Sequence, residues 1–302
     1  NYYVKCYFIK YNSGAHVTGM NYPYGENVSF ANTQPVISFI LNWIERHVCN
    51  VSDYTIGIFN LLQIFSILPC VLLLFMILKH QLLPAWYAFI VSVIIGFLSP
   101  QFIRFTGHYT LSYMFYVPLV WYLLIKFFHS KKPILWGILL ALTNTLFSFI
   151  LVYYALIGGL FIIICLLVYF LQNYYTDKQK YHYIIIGIIA AAIPFIVVKL
   201  YLLFTDPVND RIVVPYGFFH YIASFESVFL PVYSPFIDVW NTFINVHKAQ
   251  WEGYAYVGFV GLLALTFSVI KIIKYINIKD YNKIFKPVLP GSLRIVLWAS
   301  VL

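Results

Sequence analysis

The sequence predicts an all-α fold, a polytopic transmembrane helical bundle of about seven to eight spans. Three features carry that prediction. Of 302 residues, 62% are hydrophobic and only 10% are charged, where a soluble domain carries roughly 25% charge. The apolar residues fall in long runs with little or no charge. Aromatics make up 21% of the chain, and many stand at the ends of those runs, where Tyr and Trp suit the headgroup level. With a mean hydropathy of +0.82, the chain cannot cover itself with polar surface, and the bilayer is its solvent.

Residues 1–54 form a first polar segment. Within it, Val36 to Val48 ("VISFILNWIERHV") places Ser38, Asn42, Glu45 and Arg46 on one helical face and apolar residues on the rest. That pattern predicts an interfacial amphipathic helix, started by Pro35. A bundle follows over residues 55–204. Thr55 to Leu78 is its clearest span, long enough to cross about 30 Å of hydrocarbon. Leu82 to Ser99 is shorter and ends at Pro100. Tyr109 to Phe128 has Lys126 near its end, where it can snorkel. Pro133 to Gln172 has no charge and is too long for one crossing. It reads as two helices with a tight turn near Phe149 to Tyr154. Tyr183 to Phe204 closes the bundle. Residues 205–253 form a long loop, and a loop of that length is usually functional or partly helical. Residues 254–302 hold a span from Tyr254 to Ile276, a Lys-rich loop and a further span from Arg294. The chain starts without Met and stops inside an apolar run, which reads as a fragment.

Charge supports this division. With the Pro133 to Gln172 run split in two, Lys79, Lys126, Lys131, Lys132, Lys178, Lys180, Lys271, Lys274, Lys279, Lys283 and Lys286 all fall on one side. Positive loops belong in the cytoplasm. Most of the acids then fall in the two large loops, which are extracytoplasmic. The net charge of +9 is thus read as topology, not as a nucleic-acid surface. No Gly-rich phosphate loop and no metal-type Cys/His spacing occurs. Cys70 and Cys165 lie inside apolar runs. Cys6 and Cys49 share the first segment, and whether they pair depends on a loop distance that sequence does not give.

The candidate chemistry lies in the outer segments. Asn21 to Pro35 reads "NYPYGENVSFANTQP". Pro23 and Gly25 suit a tight turn, and Glu26, flanked by aromatics, can bind sugar or act as a base. Arg104 and His108 stand in the turn "SPQFIRFTGHYTL". One helical turn apart, they can share a face and hold an anion, or anchor a helix end. Lys199 lies in the outer part of a span, where it snorkels or holds a lipid phosphate. Glu226 and Glu252 lie in the long loop. Each is a sugar-binding candidate or a solvated carboxylate or helix cap, and Glu252 has Trp251 beside it.

Four stretches in order carry a resemblance: "MNYPYGENVSFANTQP", "LSPQFIRFTGHYTLSYMFYVPL", "ESVFLPVYSP" and "EGYAYVGFVGLLAL". Together they resemble bacterial multispanning proteins of the GT-C glycosyltransferase superfamily. The resemblance implies sugar transfer from a polyprenyl-phosphate-linked donor on the outer face of a bacterial inner membrane, with membrane lipid and that donor as partners. It implies an acid at Glu26 or position 32, Arg104 and His108 near the lipid phosphate, and Glu252 near sugar or acceptor. The pattern has Asp before the Gln-Pro pair, where this chain has Asn32. Asn cannot take a proton. So Glu26 or another carboxylate is the base, or Asn32 only binds, or the protein does not catalyse. Some members use a divalent metal, but one set of loop carboxylates is too small to predict one here. The rival readings are a transporter or flippase for a lipid-linked glycan and a non-catalytic protein of the same fold.

Overall fold

The structure is a computed structural model that describes residues 2–11, 14–106, 108–173, 181–208, 222–231, 236–244, 246 and 256–277. It is mostly helical, and the described strands are a single two-residue pair. Two compact units divide the chain: residues 1–207 with 287–302, and residues 208–286.

In the first unit the elements are α1 (Tyr2–Tyr11), β1 (His16–Val17), β2 (Glu26–Asn27), α2 (Pro35–His47), α3 (Thr55–Phe65), α4 (Ile67–His80), α5 (Ala85–Phe97), α6 (Pro100–Ile103), α7 (Tyr116–His129), α8 (Pro133–Ser148), α9 (Tyr153–Asn173) and α10 (Tyr181–Thr205). Four helical stretches are long and apolar enough to cross a membrane: Ser52–His80, Tyr109–His129, Tyr153–Phe170 and Tyr181–Thr205. The uncharged Pro133 to Gln172 run breaks after Ser148 and resumes at Tyr153, where the turn was expected. The structure shortens the expected Leu82 to Ser99 span to α5. α5 has 13 residues and α8 has 16. At ~1.5 Å per residue they reach only ~20 and ~24 Å, short of the ~30 Å core. Turn chemistry sets the start of α5. Leu82 takes a left-handed φ of 62°, and Pro84 stands in extended backbone just before the helix.

The bundle core lies between α7, α8, α9 and α10, around Tyr116, Leu124, Phe127, Leu140, Ile162 and Cys165. Small residues let these helices approach, as they do where lipid removes the hydrophobic drive between helices. At Gly158 an added Cβ would strike the Tyr116 hydroxyl and the Asn144 side chain. That hydroxyl lies 2.7 Å from Asn144 Oδ1 and 2.6 Å from the Tyr154 carbonyl, so three helices meet at one buried polar point. Outward faces carry Leu61, Leu68, Leu72, Ile138, Leu160 and Ile196, all exposed, as lipid-facing positions should be. All four cysteines are free thiols, so Cys6 and Cys49 do not pair.

The first segment folds as a cap with its own core: Val4, Phe8, Ile9, Val17, Val28, Ala31 and Leu41 pack with Phe59 of α3. Within it α2 begins at Pro35 as expected but turns Ser38 and Asn42 of its polar face inward. Ser38 and Asn42 are buried, whereas Ile40 and Trp43 are 56% and 58% exposed. The Ser38 hydroxyl donates to the Thr33 carbonyl. Asn42 Nδ2 donates to the Phe8 and Ile9 carbonyls at 3.3 and 2.7 Å. These are end carbonyls of α1 without an intrahelical partner. Ser38 and Asn42 therefore dock α1, Leu41 packs in the cap core, and Ile40 and Trp43 are left outward.

In the second unit, α11 (Phe225–Phe229) starts with a capping box between Ser224 and Ser227. The Val257 N–H donates to the Val228 carbonyl at 3.1 Å. α12 is Phe236–Trp240 and α13 is Phe259–Asn277. The expected span from Arg294 lies outside the described residues.

Candidate functional site

The stretch Asn21 to Pro35 builds the site. Its base is the β1–β2 pair, with His16 opposite Asn27 and Val17 opposite Glu26. His16 Nε2 lies 2.9 Å from the Tyr24 carbonyl oxygen. Gly25 has φ 73° and a Cβ there would strike the His16 ring, so only Gly fits this turn. Glu26 is half-buried. Its Oε2 accepts from Asn21 Nδ2 at 3.1 Å and its Oε1 from the Asn27 N–H at 2.9 Å. The carboxylate is thus held in one orientation by neutral donors.

From Asn27 the chain is pinned to the ends of three bundle helices. Asn27 Nδ2 donates to the Thr205 hydroxyl of α10 at 3.1 Å. The Tyr113 hydroxyl, before α7, donates to Gln34 Oε1 at 2.6 Å. The Val36 N–H reaches the Phe149 carbonyl between α8 and α9 at 3.3 Å. Asn32 and Gln34 both take left-handed backbone, with φ 54° and 55°, which Asn tolerates better than most residues. Among the described residues, and besides the Ser29 hydroxyl, two amide atoms of this stretch are shielded from solvent without a hydrogen-bond partner: Asn32 Oδ1 and Gln34 Nε2. One is an acceptor and the other a donor.

Lys5 of α1 lies beneath this layer. It is fully buried, with Nζ 4.4 Å from the Phe59 ring centroid and 5.0 Å from that of Tyr109. Burial pulls its amine down from the ordinary 10.5 to about 8. Cation–π contact offsets part of that cost. Glu45 of α2 reaches the next helix. Its Oε2 accepts from the Val51 and Ser52 N–H groups at 2.5 and 2.8 Å, and its Oε1 from the Ser52 hydroxyl at 3.1 Å. Desolvation raises a carboxyl, but these donors outweigh it and hold Glu45 below its usual range. Glu45 thereby caps the long Ser52–His80 helix from a distance.

The other predicted residues are dispersed. Arg104 is half-buried in a 3₁₀ turn, Arg104–Thr106. His108 is exposed and precedes a second 3₁₀ turn, Tyr109–Leu111. They share no helix, so the expected common helical face is corrected to two successive turns at the same loop. Rings Phe97, Phe102 and Phe105 follow one another toward it, the first pair tilted and the second edge to face, with centroids 6.0 and 5.6 Å apart. Below Phe97, α4 and α5 flank an apolar groove of about 500 Å³, lined by Ile67, Val71, Phe75, Phe89 and Phe97. Lys199 is exposed on α10. Glu226 is half-buried in the first turn of α11, in the second unit, and Glu252 lies outside the described residues. Among the described residues, no group of three or more His, Cys, Asp or Glu could hold a metal.

Sequence reasoning passed over Lys5, Gln34 and Tyr113. A lone Lys in the aromatic run "YYVKCYF" was a readable signal for the first. The others depend on partners far along the chain. Comparison with curated proteins and with solved structures finds no match in either. One family profile does match, that of the family described as "Domain of unknown function (DUF6311)", over residues 6–301. Since the match covers nearly the whole chain, the protein belongs to the DUF6311 family.

Proposed function

We propose that the capped end binds a polyprenyl-phosphate-linked sugar, and that the protein transfers this sugar as a GT-C-like glycosyltransferase. The observation that carries the reading is the pair of shielded amide atoms, Asn32 Oδ1 and Gln34 Nε2. Buried polar atoms in native folds are almost always satisfied. An acceptor and a donor two residues apart suit a hydroxyl-rich ligand, because a hydroxyl both donates and accepts. The groove between α4 and α5 supports the lipid part. It is apolar along its length and its Phe97 end lies toward the loop of Arg104 and His108. A lipid chain in the groove would bring its phosphate to that loop, where Arg donates two parallel bonds.

In this reading Glu26 accepts the proton of the acceptor hydroxyl. The acceptor oxygen bonds to the anomeric carbon, and the bond from that carbon to the phosphate oxygen breaks. The electron pair leaves on the polyprenyl phosphate, which Arg104 and His108 stabilise. The chain would cross a bacterial inner membrane about seven to eight times, with the capped end outward and the lysine-rich loops in the cytoplasm.

The test uses full-length protein in lipid. It measures polyprenyl phosphate binding and then transfer from a panel of polyprenyl-linked sugars. Arg104→Gln lowers binding of the lipid phosphate about tenfold or more. Glu26→Gln abolishes transfer but leaves binding intact. Binding that ignores Arg104→Gln, with no transfer by any variant, overturns the proposal.

A further inference from the structure

At the far end of the same helices a second site is built from bases. α4 and α7 both end there, and their last turns flank a cleft of about 340 Å³. Lys79, His80, Lys126 and Tyr122 line it, with Phe75 and Ile125 on its bundle side. His129 meets His80 edge to face, with centroids 5.1 Å apart. Among the described residues, no Asp or Glu lines the cleft.

We infer that this cleft binds a phosphate group, as carried by an anionic lipid headgroup or by free phosphate. A helix C-terminus favours a lysine, which accounts for Lys79 and Lys126 one at a time. It does not account for their meeting two imidazoles in one cleft. Two ammonium groups at one cleft repel, and an anion between them relieves that repulsion. Basic pockets between spanning helices are the usual headgroup sites. The side chains keep donors for it. Lys79 gives one bond to the Leu83 carbonyl at 3.2 Å, and an ammonium has three donors. The Lys126 ammonium lies 5.3 Å from the Tyr122 ring centroid. His129 turns Nδ1 to the Ile125 carbonyl at 3.0 Å. The Phe75 and Ile125 side is apolar, as a glycerol backbone and acyl chain need. This inference does not rest on the proposed transferase activity.

The experiment places full-length protein in phosphatidylcholine nanodiscs. One arm titrates phosphatidylglycerol and counts retained lipids by native mass spectrometry. The other titrates inorganic phosphate by calorimetry. Lys79→Gln with Lys126→Gln is compared with Lys131→Gln with Lys132→Gln, which removes as much charge from exposed lysines at the same end. The cleft pair lowers affinity about thirty-fold and the control pair far less. Loss of phosphatidylglycerol identifies a lipid site, and loss of inorganic phosphate identifies a free-anion site. Equal losses in both pairs, or no binding in either arm, overturn the inference. Should the cleft pair lose helical signal by circular dichroism, His80→Glu decides. His80 is exposed, so the change spares packing, and unchanged binding there overturns the inference.

Discussion

At one end of the first unit, residues 2–54 fold back over Phe59, Tyr113 and Phe149, and the carboxylates of Glu26 and Glu45 are bound by amide N–H groups of the chain itself. At the other end, Lys79, His80 and Lys126 line a cleft, His129 packs against His80, and among the described residues no carboxylate lines it. The contrast separates two uses of charge. Glu45, satisfied by backbone donors, positions a chain segment, and its removal is felt as stability. Bases with no counter-charge among the described residues of the cleft have an anion to bind, and their removal is felt as binding. Each prediction below breaks or sharpens that contrast.

The largest effect is all-or-none. Cys49 is exposed at the capped end, and Lys131 is exposed at the basic end. If the two ends lie on opposite sides of one bilayer, an impermeant maleimide labels Cys49 in intact cells. Lys131→Cys, made with Cys49→Ser, is labelled only after permeabilisation. Labelling of both positions from one side would collapse the comparison.

The next effect tests whether the cap is an independent layer. Asn42→Ala removes two hydrogen bonds and strands the Phe8 and Ile9 carbonyls. Leaving two buried acceptors unpaired costs about 2–4 kcal/mol. Hydrogen exchange should rise across α1 and α2 while the ends of α4 and α7 keep their protection. A uniform rise would show that cap and bundle unfold together.

Lys5 carries a pH signature that belongs to the cap alone. Its amine sits near 8 in the fold because of burial, against an ordinary 10.5. Between those values the unfolded chain binds the extra proton, so stability rises with pH across the window. Below about pH 8 the fold bears the whole cost of charging the buried amine. Lys5→Met removes that cost, stabilises the protein at pH 7 by up to about 3 kcal/mol and flattens the alkaline rise. An unchanged slope in thermal melts from pH 7 to 10 would refute this.

What the sequence made legible follows the range of the forces involved. The α class, the start of α2 at Pro35 and the break after Ser148 are local properties of composition and turn chemistry, and they stand in the structure. The cap's attachment was illegible because its partners are remote. Gln34 and Tyr113 are 79 residues apart, and Asn27 and Thr205 are 178 apart. Periodicity marked the polar face of α2, but it does not say whether that face meets water or the carbonyls of another helix. The reach of α5 was overestimated because hydropathy does not register the turn from Leu82 to Pro84 that shortens it. At the candidate site, Glu26 and Asn32 were legible as turn residues with chemistry. The shielding of Asn32 Oδ1 and Gln34 Nε2 depends on layers packed above and below them.

The smallest effect asks how far a carboxylate at the capped end is structural. Glu45 is partly solvated, so its bonds to the Val51 and Ser52 amides are worth a few tenths to about 1 kcal/mol. Those amides open the Ser52–His80 helix, and Glu45→Gln leaves them a weaker, uncharged acceptor. Because the donors hold the folded carboxyl below its usual range, its contribution is fully present above the unfolded value near 4.5. It is lost as pH falls through the lower, folded value. Wild type should therefore lose more stability than Glu45→Gln in melts taken below pH 4.5, and the two curves should converge at the acid end. Phosphate binding at the basic cleft should be the same in both proteins, because Glu45 stands at the other end of the Ser52–His80 helix. A change in that binding would mean that the long helix couples the two ends, and the division of labour between them would fail.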